Sequence, residues 1–237
     1  PIKKNNKWGF DFIILHESGH EWWGNHVSCS DHADLWIHEA FCTYSEALYV
    51  EYYQGKEASI EYLNEQKKKI ENNAPIKGPY DVNFNDFGSA DMYYKGSNML
   101  HTLRTLLEND VLWFSILKGL QKQFGDQTTS SDQIIAYFNR RTSKNFSDFF
   151  SHYLNSAESP KIEYNVDQRG DELSIIYRYS NTSEKFDMPV RYTLDGKIYH
   201  WIYPKSDWTP LSITLEKDQE FHFDEENFMV DFVPLKK

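Results

Sequence analysis

The sequence predicts an α+β fold, in which a mainly α-helical part is followed by a small antiparallel β-sandwich. Up to about residue 158, apolar residues recur at spacings of three and four, which is typical of helices that bury one face. After Pro160, segments rich in Tyr, Phe, Ile and Val alternate in polarity, and an Asp-Gly pair at 195–196 gives a turn signal. We expect a helical domain at residues 1–158 and a β-sandwich domain at residues 159–237.

Three helices are expected in the first part of the chain. The apolar run FDFIIL leads directly into a histidine motif, so we place residues 10–23 on one buried helix. Residues 34–54 form a second helix, with Asp34 as its N-cap and Gly55 as its stop. Residues 59–72 form a third helix, which is more polar.

A loop and four further helices are expected next. Prolines and glycines at positions 75–79 interrupt the helical spacing, and a stretch rich in Asn and Asp follows as far as residue 91. From Met92 onwards, five apolar side chains share one helical stripe: Met99, Leu100, Leu103, Leu106 and Leu107. Shorter helices are expected at about residues 110–124, 131–142 and 146–155. Ser130 and Gln133 form a capping box at the start of the second of these.

The acidic composition limits the kinds of partner. A net charge of -11 and a pI near 5.3 argue against binding to nucleic acid or to an anionic membrane, because phosphates are bound by clustered Lys and Arg. The lysine run at 67–69 is expected to lie on a solvated helix face. The sequence shows no apolar run long enough to cross a bilayer as a helix. Cys29 and Cys42 are too few for a disulfide framework and leave the redox compartment open.

The stretch HESGHEWWGN at residues 16–25 carries the pattern HExxH. On an α-helix, residues four apart are rotated by about 40° and separated by about 6 Å, so His16 and His20 project from one face. Two imidazoles in this arrangement can bind one tetrahedral ion, and zinc suits such nitrogen ligands in a hydrolytic centre. Glu17 lies beside His16, where its carboxylate can reach a metal-bound water without ligating the metal.

A catalytic zinc ion needs a third protein ligand and one open position, and two patterns can supply the ligand. HExxHxxGxxH requires a glycine three residues after His20 and a histidine three residues further on. His26 meets the second requirement, but Trp23 takes the place of the glycine. The other pattern places a glutamate on a separate helix. Glu39, in DLWIHEAFCTYSE, follows His20 with 18 residues between them, and this spacing matches well.

Three motifs follow one another over about 90 residues: HESGHEWWGN, LWIHEAFCTYSE and YYKGSNMLHTL, the last beginning at Tyr93. They resemble the motifs HExxHxWfGN, LWLNEGFAtYxE and YxKGxxxLxxL of the aminopeptidase N family of zinc metallopeptidases, which are gluzincins of the HExxH-x18-E type. Three separated matches in order are far more specific than any one of them. The resemblance implies that the helical part is a thermolysin-like catalytic domain.

The resemblance also implies a function and a set of site residues. The expected activity is zinc-dependent hydrolysis of peptides, by an aminopeptidase that removes N-terminal residues. His16, His20 and Glu39 are then the ligands of one zinc ion, which is the only cofactor implied. Glu17 is the general base that takes a proton from the zinc-bound water. Tyr93 donates to the oxyanion of the transition state, which contributes about 3 kcal/mol for comparable single donors.

The sequence departs from the family pattern at several positions. His38, Glu39 and Ala40 stand where the family usually has Asn-Glu-Gly, and Ser18 replaces a larger apolar residue. None of these changes removes a ligand. The family also has an upstream GxMEN segment whose glutamate binds the free amino group of the substrate, whereas this chain opens with Pro1 and has only 15 residues before the motif. We expect a missing upstream domain of the same protein to supply that segment, and weak or absent aminopeptidase activity from this chain alone.

Several side chains near the motifs allow two interpretations. Tyr94 is the alternative to Tyr93, because spacing does not separate neighbours. Glu46 lies two turns from Glu39 on the same helix face, where it either orients a ligand histidine or is a surface carboxylate. Three histidines suggest either a second metal or, more commonly, surface and outer-shell positions: His26, His32 and His38. Three tryptophans are expected to pack between the two site helices: Trp22, Trp23 and Trp36.

Two other functions stay open at this stage. A zinc endopeptidase would not need the anchor for a free amino group, and it would cleave amino-blocked peptides. A non-catalytic scaffold would use zinc structurally and would bind a partner through the β domain. The absence of hydrolysis by the full-length parent would favour the scaffold.

Overall fold

The computed structural model describes residues 7–83 and 89–235 of the chain. Helices come first, and their bounds are α1 Phe12–Gly19, α2 Trp36–Gln54, α3 Lys56–Lys67, α4 Asp91–Leu107, α5 Asp110–Phe124, α6 Ser131–Thr142 and α7 Ser147–Asn155. A short 3-10 helix, His32–Asp34, precedes α2. Two strands of three residues, β1 Val27–Cys29 and β2 Gln127–Thr129, pair in parallel within this part, and the sequence pattern did not indicate them.

Seven further strands follow the helices within the described residues. Their bounds are β3 Lys161–Arg169, β4 Glu172–Tyr179, β5 Val190–Thr193, β6 Tyr199–Ile202, β7 Thr209–Thr214, β8 His222–Phe223 and β9 Asp231–Pro234. One sheet has the order β7-β4-β3-β9, and another has the order β6-β5-β8. The predicted α+β class is confirmed. A purely antiparallel arrangement is wrong, because β9 pairs with β3 in parallel after a long connection. The sandwich packing and the domain division between residues 158 and 159 stay predictions.

The later helices agree closely with the sequence pattern. α5 and α6 have the predicted bounds, α7 begins one residue later than predicted, and α3 begins and ends before its predicted limits. The capping box of Ser130 and Gln133 is confirmed. The loop predicted before residue 91 falls partly outside the described residues. Of the helices in residues 7–83 and 89–235, none combines the length and apolar character required to span a bilayer.

The first helix is shorter and more exposed than predicted. Asp11 caps α1, because its carboxylate accepts hydrogen bonds from the N–H groups of Ile13 and Ile14 at 3.1 and 3.4 Å. The helix ends at Gly19, and three apolar side chains of its first turn are 50 to 64% exposed. The prediction of one buried helix over residues 10–23 is therefore wrong. An apolar run is compatible with a buried helix face, but it does not show whether another element packs on that face.

The second helix begins without the predicted cap. α2 begins at Trp36, and Asp34 lies in the preceding 3-10 helix. The buried carboxylate of Asp34 accepts hydrogen bonds from the Tyr80 hydroxyl at 2.8 Å and from the Ser131 N–H at 3.0 Å. The N-cap prediction is wrong because these partners lie 46 and 97 residues away in sequence and are invisible to local spacing. Gly55 ends α2 as predicted, with a φ of 95° that favours glycine.

A glycine allows α4 to lie close to α2. A Cβ atom at Gly96 would lie 2.5 Å from the Cβ atom of Ala40, which is closer than two carbon atoms can approach. The missing side chain therefore lets α4 approach the helix that carries Glu39. Tyr93 lies one turn before this contact, so the same approach brings Tyr93 towards Glu39.

Polar contacts join the helices to the strand-rich part. The Tyr153 hydroxyl donates to the Met229 carbonyl at 2.7 Å, and Lys67 Nζ donates to the Phe228 carbonyl at 2.7 Å. Burial lowers the pKa of Lys67. The prediction of a solvated face is therefore wrong for Lys67, because its acceptor lies 161 residues further along the chain, although the two lysines after it are exposed.

Candidate active site

His16 lies on the last turn of α1, and His20 is the C-terminal cap of the same helix. Because His20 keeps helical backbone angles, the two imidazoles face the same side, with ring centres 5.0 Å apart. Gly19 lies between them and contacts α2, where a Cβ atom would be 3.2 Å from Cys42 Sγ. The missing side chain at Gly19 therefore lets both rings approach α2.

Glu39 on the first turn of α2 meets both imidazoles. Its Oε2 atom lies 3.1 Å from His16 Nε2 and 3.6 Å from His20 Nε2. Ligand atoms around a tetrahedral zinc ion, at bond lengths of about 2.0–2.1 Å, are about 3.3 Å apart. The two distances from Glu39 Oε2 to the ring nitrogens are thus close to those between ligands of one zinc ion. The residues present fit a zinc ion.

Each of these imidazoles also has a hydrogen-bond partner at its Nδ1 atom. His16 Nδ1 lies 2.8 Å from Oε1 of Glu46, and His20 Nδ1 lies 3.0 Å from the Trp23 carbonyl oxygen. Because both partners are acceptors, Nδ1 carries a hydrogen on each ring, and Nε2 is the atom that faces Glu39. Glu46 is only 3% exposed, so its interpretation as a surface carboxylate is wrong.

The surroundings of His16 favour a cation. Burial lowers the pKa of His16, but the hydrogen bonds with Glu39 and Glu46 outweigh this effect and raise the pKa to about 9. Two carboxylates on one imidazole therefore stabilise positive charge at its Nε2 atom. Either a proton or a metal ion can supply that charge.

Cys42 is a further contact of His20. Its Sγ atom lies 3.3 Å from His20 Nδ1, and one ring nitrogen from each of His16 and His20 lies within 4.8 Å of it. Sγ approaches His20 through the nitrogen that already donates to the Trp23 carbonyl, not through the nitrogen that faces Glu39. Burial also raises the pKa of the Cys42 thiol and keeps it neutral. Geometry therefore favours Glu39 over Cys42 as the third ligand.

The candidate ligands line a cleft of about 880 Å³, which Glu17 also lines. Glu17 follows His16 on α1, and its carboxylate is exposed. An exposed carboxylate beside a metal position can exchange protons with water and with a departing amine. The arrangement thus suits the general base that the sequence predicted.

Tyr93 and Tyr94 line the same cleft from α4. The Tyr93 ring centre lies 5.7 Å from that of His16. Burial, followed by the charges of Glu39 and Glu17, raises the pKa of Tyr93 to about 12. A phenol with this pKa stays protonated at neutral pH, so its hydroxyl can donate to an oxyanion. These contacts favour Tyr93 over Tyr94 as the donor.

Within the described ranges, the other histidines near the motif do not gather around a second metal position. His26 Nδ1 lies 2.8 Å from Gln121 Oε1, and His38 Nε2 accepts a hydrogen bond from the Cys29 N–H at 2.8 Å. His32 is exposed. The geometry of His26 and His38 favours a structural interpretation for both.

The tryptophans of the motif differ in burial. Trp23 is buried and stacks on Phe41 with ring centres 4.1 Å apart, and Trp36 is fully buried. Trp22 is 57% exposed, so its predicted core packing is wrong. The reason is that α1 ends at Gly19, and the turn that follows directs Trp22 outwards.

The sequence pattern did not indicate the roles of two polar residues of α3. The Tyr62 hydroxyl and the Gln66 amide both donate to Glu46 Oε2, on the far side of Glu46 from His16. Their spacing of four placed them on one helix face. Nothing in the sequence indicated which neighbour that face meets.

Comparison with known protein families matches residues 3–153 to the peptidase family M1 domain. Endoplasmic reticulum aminopeptidase 1 of Mus musculus is 27% identical over 140 residues, which are 54% of this chain and 15% of that protein. Aminopeptidase N of Lactobacillus helveticus is 32% identical over 123 residues, which are 47% of this chain and 14% of that protein. The chain therefore spans only about 15% of the length of these relatives.

A solved structure extends the comparison into the strands. The crystal structure of Legionella pneumophila aminopeptidase A in complex with aspartic acid matches 95% of this chain and 27% of its own chain, with a TM-score of 0.74. The two sequences are 13% identical over this match, so the likeness concerns the fold.

Proposed function

This chain belongs to peptidase family M1, and from that premise we propose that it acts in the zinc-dependent hydrolysis of peptide bonds, as part of an aminopeptidase that removes N-terminal residues. One observation carries the proposal: Glu39 Oε2 lies 3.1 and 3.6 Å from the Nε2 atoms of His16 and His20. These two distances are close to the edges of a zinc tetrahedron, whose fourth position would be left for solvent or substrate.

His16, His20 and Glu39 would hold the zinc ion. A zinc ion bound there supplies Lewis-acid polarisation of the scissile carbonyl and makes water more acidic. Each ligand histidine also has a contact at Nδ1: Glu46 contacts Nδ1 of His16, and the Trp23 carbonyl contacts Nδ1 of His20. Such outer contacts orient the imidazoles towards the metal.

Glu17 would take the proton of the attacking water and deliver it to the departing amine nitrogen. Its position beside His16 and its exposure to the cleft support both transfers. Tyr93 would donate its hydroxyl hydrogen to the oxyanion that develops on the substrate carbonyl. Its raised pKa supports this role, because the phenol keeps its proton at the pH of the reaction.

The substrate is proposed to be a peptide with a free N-terminus. The relatives named above are aminopeptidases, and the cleft of about 880 Å³ can hold several peptide residues.

The experiment compares the zinc-loaded chain with Glu17→Gln, and uses Glu21→Gln as the matched control. Glu21 is an exposed glutamate four residues after Glu17 and does not line the cleft. We expect one zinc ion per chain in all three proteins. Hydrolysis of an aminoacyl anilide should fall about 100- to 10,000-fold in Glu17→Gln and stay at the parent's rate in Glu21→Gln.

Three outcomes would contradict the proposal. Failure of the parent chain to bind zinc would remove the metal centre. Detectable hydrolysis at the same rate by Glu17→Gln and the parent would remove Glu17 as the base. Faster cleavage of an amino-blocked peptide than of the free one would indicate an endopeptidase.

A further inference from the structure

A buried polar network lies behind the ligand His16. Glu46 is its centre: Oε1 lies 2.8 Å from His16 Nδ1, whereas Oε2 accepts hydrogen bonds from the Tyr62 hydroxyl and from Gln66 Nε2, the latter at 3.3 Å. Tyr62, Gln66 and Glu46 are 7, 4 and 3% exposed. Water therefore has little access to these groups, and they must satisfy one another.

The chemistry of the three partners assigns the donors and acceptors of this network. Burial, followed by the charge of Glu46, raises the pKa of Tyr62, so the phenol keeps its hydrogen and donates it. The side-chain nitrogen of Gln66 is also a donor. Glu46 therefore accepts all three contacts, and the hydrogen between Glu46 and His16 belongs to Nδ1. The network thus keeps a hydrogen on Nδ1 and orients the ring so that Nε2 faces Glu39.

The network continues to the helix that carries Tyr93. Gln66 Oε1 lies 3.1 Å from the hydroxyl of Ser97 on α4. The amide of Asn98, the next residue, donates to the Leu63 carbonyl of α3 at 3.3 Å. α3 is therefore tied both to Glu46 on α2 and to α4.

We propose that Tyr62 and Gln66 are positioning residues for the metal centre: by holding Oε2 of Glu46, they keep its other oxygen on His16 Nδ1. The inference rests on the proposed function, because it assigns His16 as a zinc ligand. It goes beyond that function because residues of α3, a helix that supplies no zinc ligand, would affect the zinc affinity. Ser97 extends the same effect to α4.

His20 provides an internal contrast. Its Nδ1 atom contacts the backbone carbonyl of Trp23 and Cys42 Sγ, and neither contact involves α3. Loss of the Tyr62 hydroxyl should therefore loosen His16 and leave His20 in place. The coordination should change at one ligand, and the ion should still bind.

The experiment measures zinc affinity by competition with a chelating dye, for the parent chain and for Tyr62→Phe. The substitution keeps the ring that packs on Trp8 and Phe10 and removes only the hydroxyl. Tyr153→Phe is the matched control, because it also removes a buried hydroxyl that donates a hydrogen bond, here to Met229. We expect the zinc dissociation constant to rise about 10-fold in Tyr62→Phe and to stay within about 2-fold of the parent in Tyr153→Phe.

The absorption spectrum of the cobalt-substituted protein gives a second readout. It should shift in Tyr62→Phe and match the parent in Tyr153→Phe, because only the first change alters the geometry of a ligand. If Tyr62→Phe does not fold, Ser97→Ala takes its place, with an expected rise in the zinc dissociation constant of about 2- to 10-fold.

Equal zinc affinity and equal cobalt spectra in the parent and in the folded Tyr62→Phe or Ser97→Ala would overturn this inference and leave the proposed function intact. Failure of the parent chain to bind either metal would overturn both.

Discussion

The helical segment that ends at Asn155 and the strand-rich segment that begins at Lys161 use buried polar groups in different ways. In the helical segment, the side chain of His16 contacts those of Glu39 and Glu46, and all three line a cleft. At the contact between the segments, several side chains donate to backbone carbonyls, as Tyr153 donates to Met229 and Lys67 to Phe228. Among the described residues, those that line the cleft all precede residue 95.

These two kinds of contact, between side chains and from side chain to backbone, have different consequences for function. Side-chain networks that converge on a cleft can bind and react, whereas contacts from a side chain to the backbone join elements together. We infer that the helical segment contains the reaction centre and that the strand-rich segment stabilises it. Four substitutions test this division, in order of decreasing expected effect.

Phe228→Ala should have the largest effect, and it should be on stability alone. Phe228 is 1% exposed in the strand-rich segment and lies near Trp201, with ring centres 6.0 Å apart. Truncation should lower the free energy of unfolding by about 3–5 kcal/mol, as measured by urea denaturation. The folded variant should bind zinc as tightly as the parent.

Tyr203→Ala is the control for that experiment, because Tyr203 is 63% exposed in the same segment. Its free energy of unfolding should stay within about 0.5 kcal/mol of the parent. Zinc affinity that fell in folded Phe228→Ala, but not in Tyr203→Ala, would show that the strand-rich segment shapes the metal centre.

Tyr93→Phe should lower kcat about 100- to 1000-fold, because an oxyanion loses one donor. Zinc affinity and stability should change little, since the ring next to His16 is kept. Tyr94→Phe is the matched comparison on the same helix and should lose much less activity. Steady-state kinetics with an aminoacyl anilide measure both variants, and a larger loss in Tyr94→Phe would assign the role to Tyr94.

Glu46→Gln should raise the zinc dissociation constant about 10- to 100-fold, because a neutral amide holds His16 Nδ1 less firmly than a carboxylate. Glu51→Gln is the control, since Glu51 lies on the same helix but pairs with Arg104. It should leave zinc affinity unchanged. The idea that side-chain networks tune the site fails if the two variants bind zinc equally.

His101→Gln should change the acid sensitivity of the fold. Burial lowers the pKa of His101 to about 4, and its Nε2 atom lies 3.0 Å from Asn227 Oδ1 in the strand-rich segment. The ordinary pKa is 6.5, so between pH 6.5 and 4 the unfolded chain binds more protons than the folded chain. Stability therefore falls as the pH is lowered through this window.

The contribution of one such histidine is at most about 1.4 kcal/mol per pH unit. The free energy of unfolding, measured by urea denaturation, should change less steeply with pH between 6.5 and 4 in His101→Gln than in the parent. The difference in slope should be up to this amount. His152→Gln should act in the same direction, because burial also lowers the pKa of His152 to about 4. An unchanged slope in both variants would contradict the assignment of neutral histidines to the interior.

Local features were predictable from the sequence. Gly55 ends α2, and Ser130 and Gln133 form a capping box, because each depends on residues within one helical turn. The meeting of His16, His20 and Glu39 follows from spacing on one helix together with a family interval. Helical spacing together with this interval therefore predicted that the three side chains meet.

Long-range partners were not predictable. Asp34 is not the predicted N-cap, because its carboxylate accepts hydrogen bonds from Tyr80 and Ser131, which lie in distant segments. Lys67 is not on the predicted solvated face, because its Nζ atom donates to the Phe228 carbonyl of the strand-rich segment. Periodicity identifies the face of an element, but only the folded chain shows what that face contacts.

The central claim is that His16, His20 and Glu39 bind one zinc ion. Anomalous scattering at the zinc edge, from a crystal of the zinc-loaded chain, tests it most directly. We predict one strong peak about 2.0–2.2 Å from His16 Nε2, His20 Nε2 and a carboxylate oxygen of Glu39. A peak bonded to Cys42 in place of Glu39, or no peak near the two histidines, would contradict the claim.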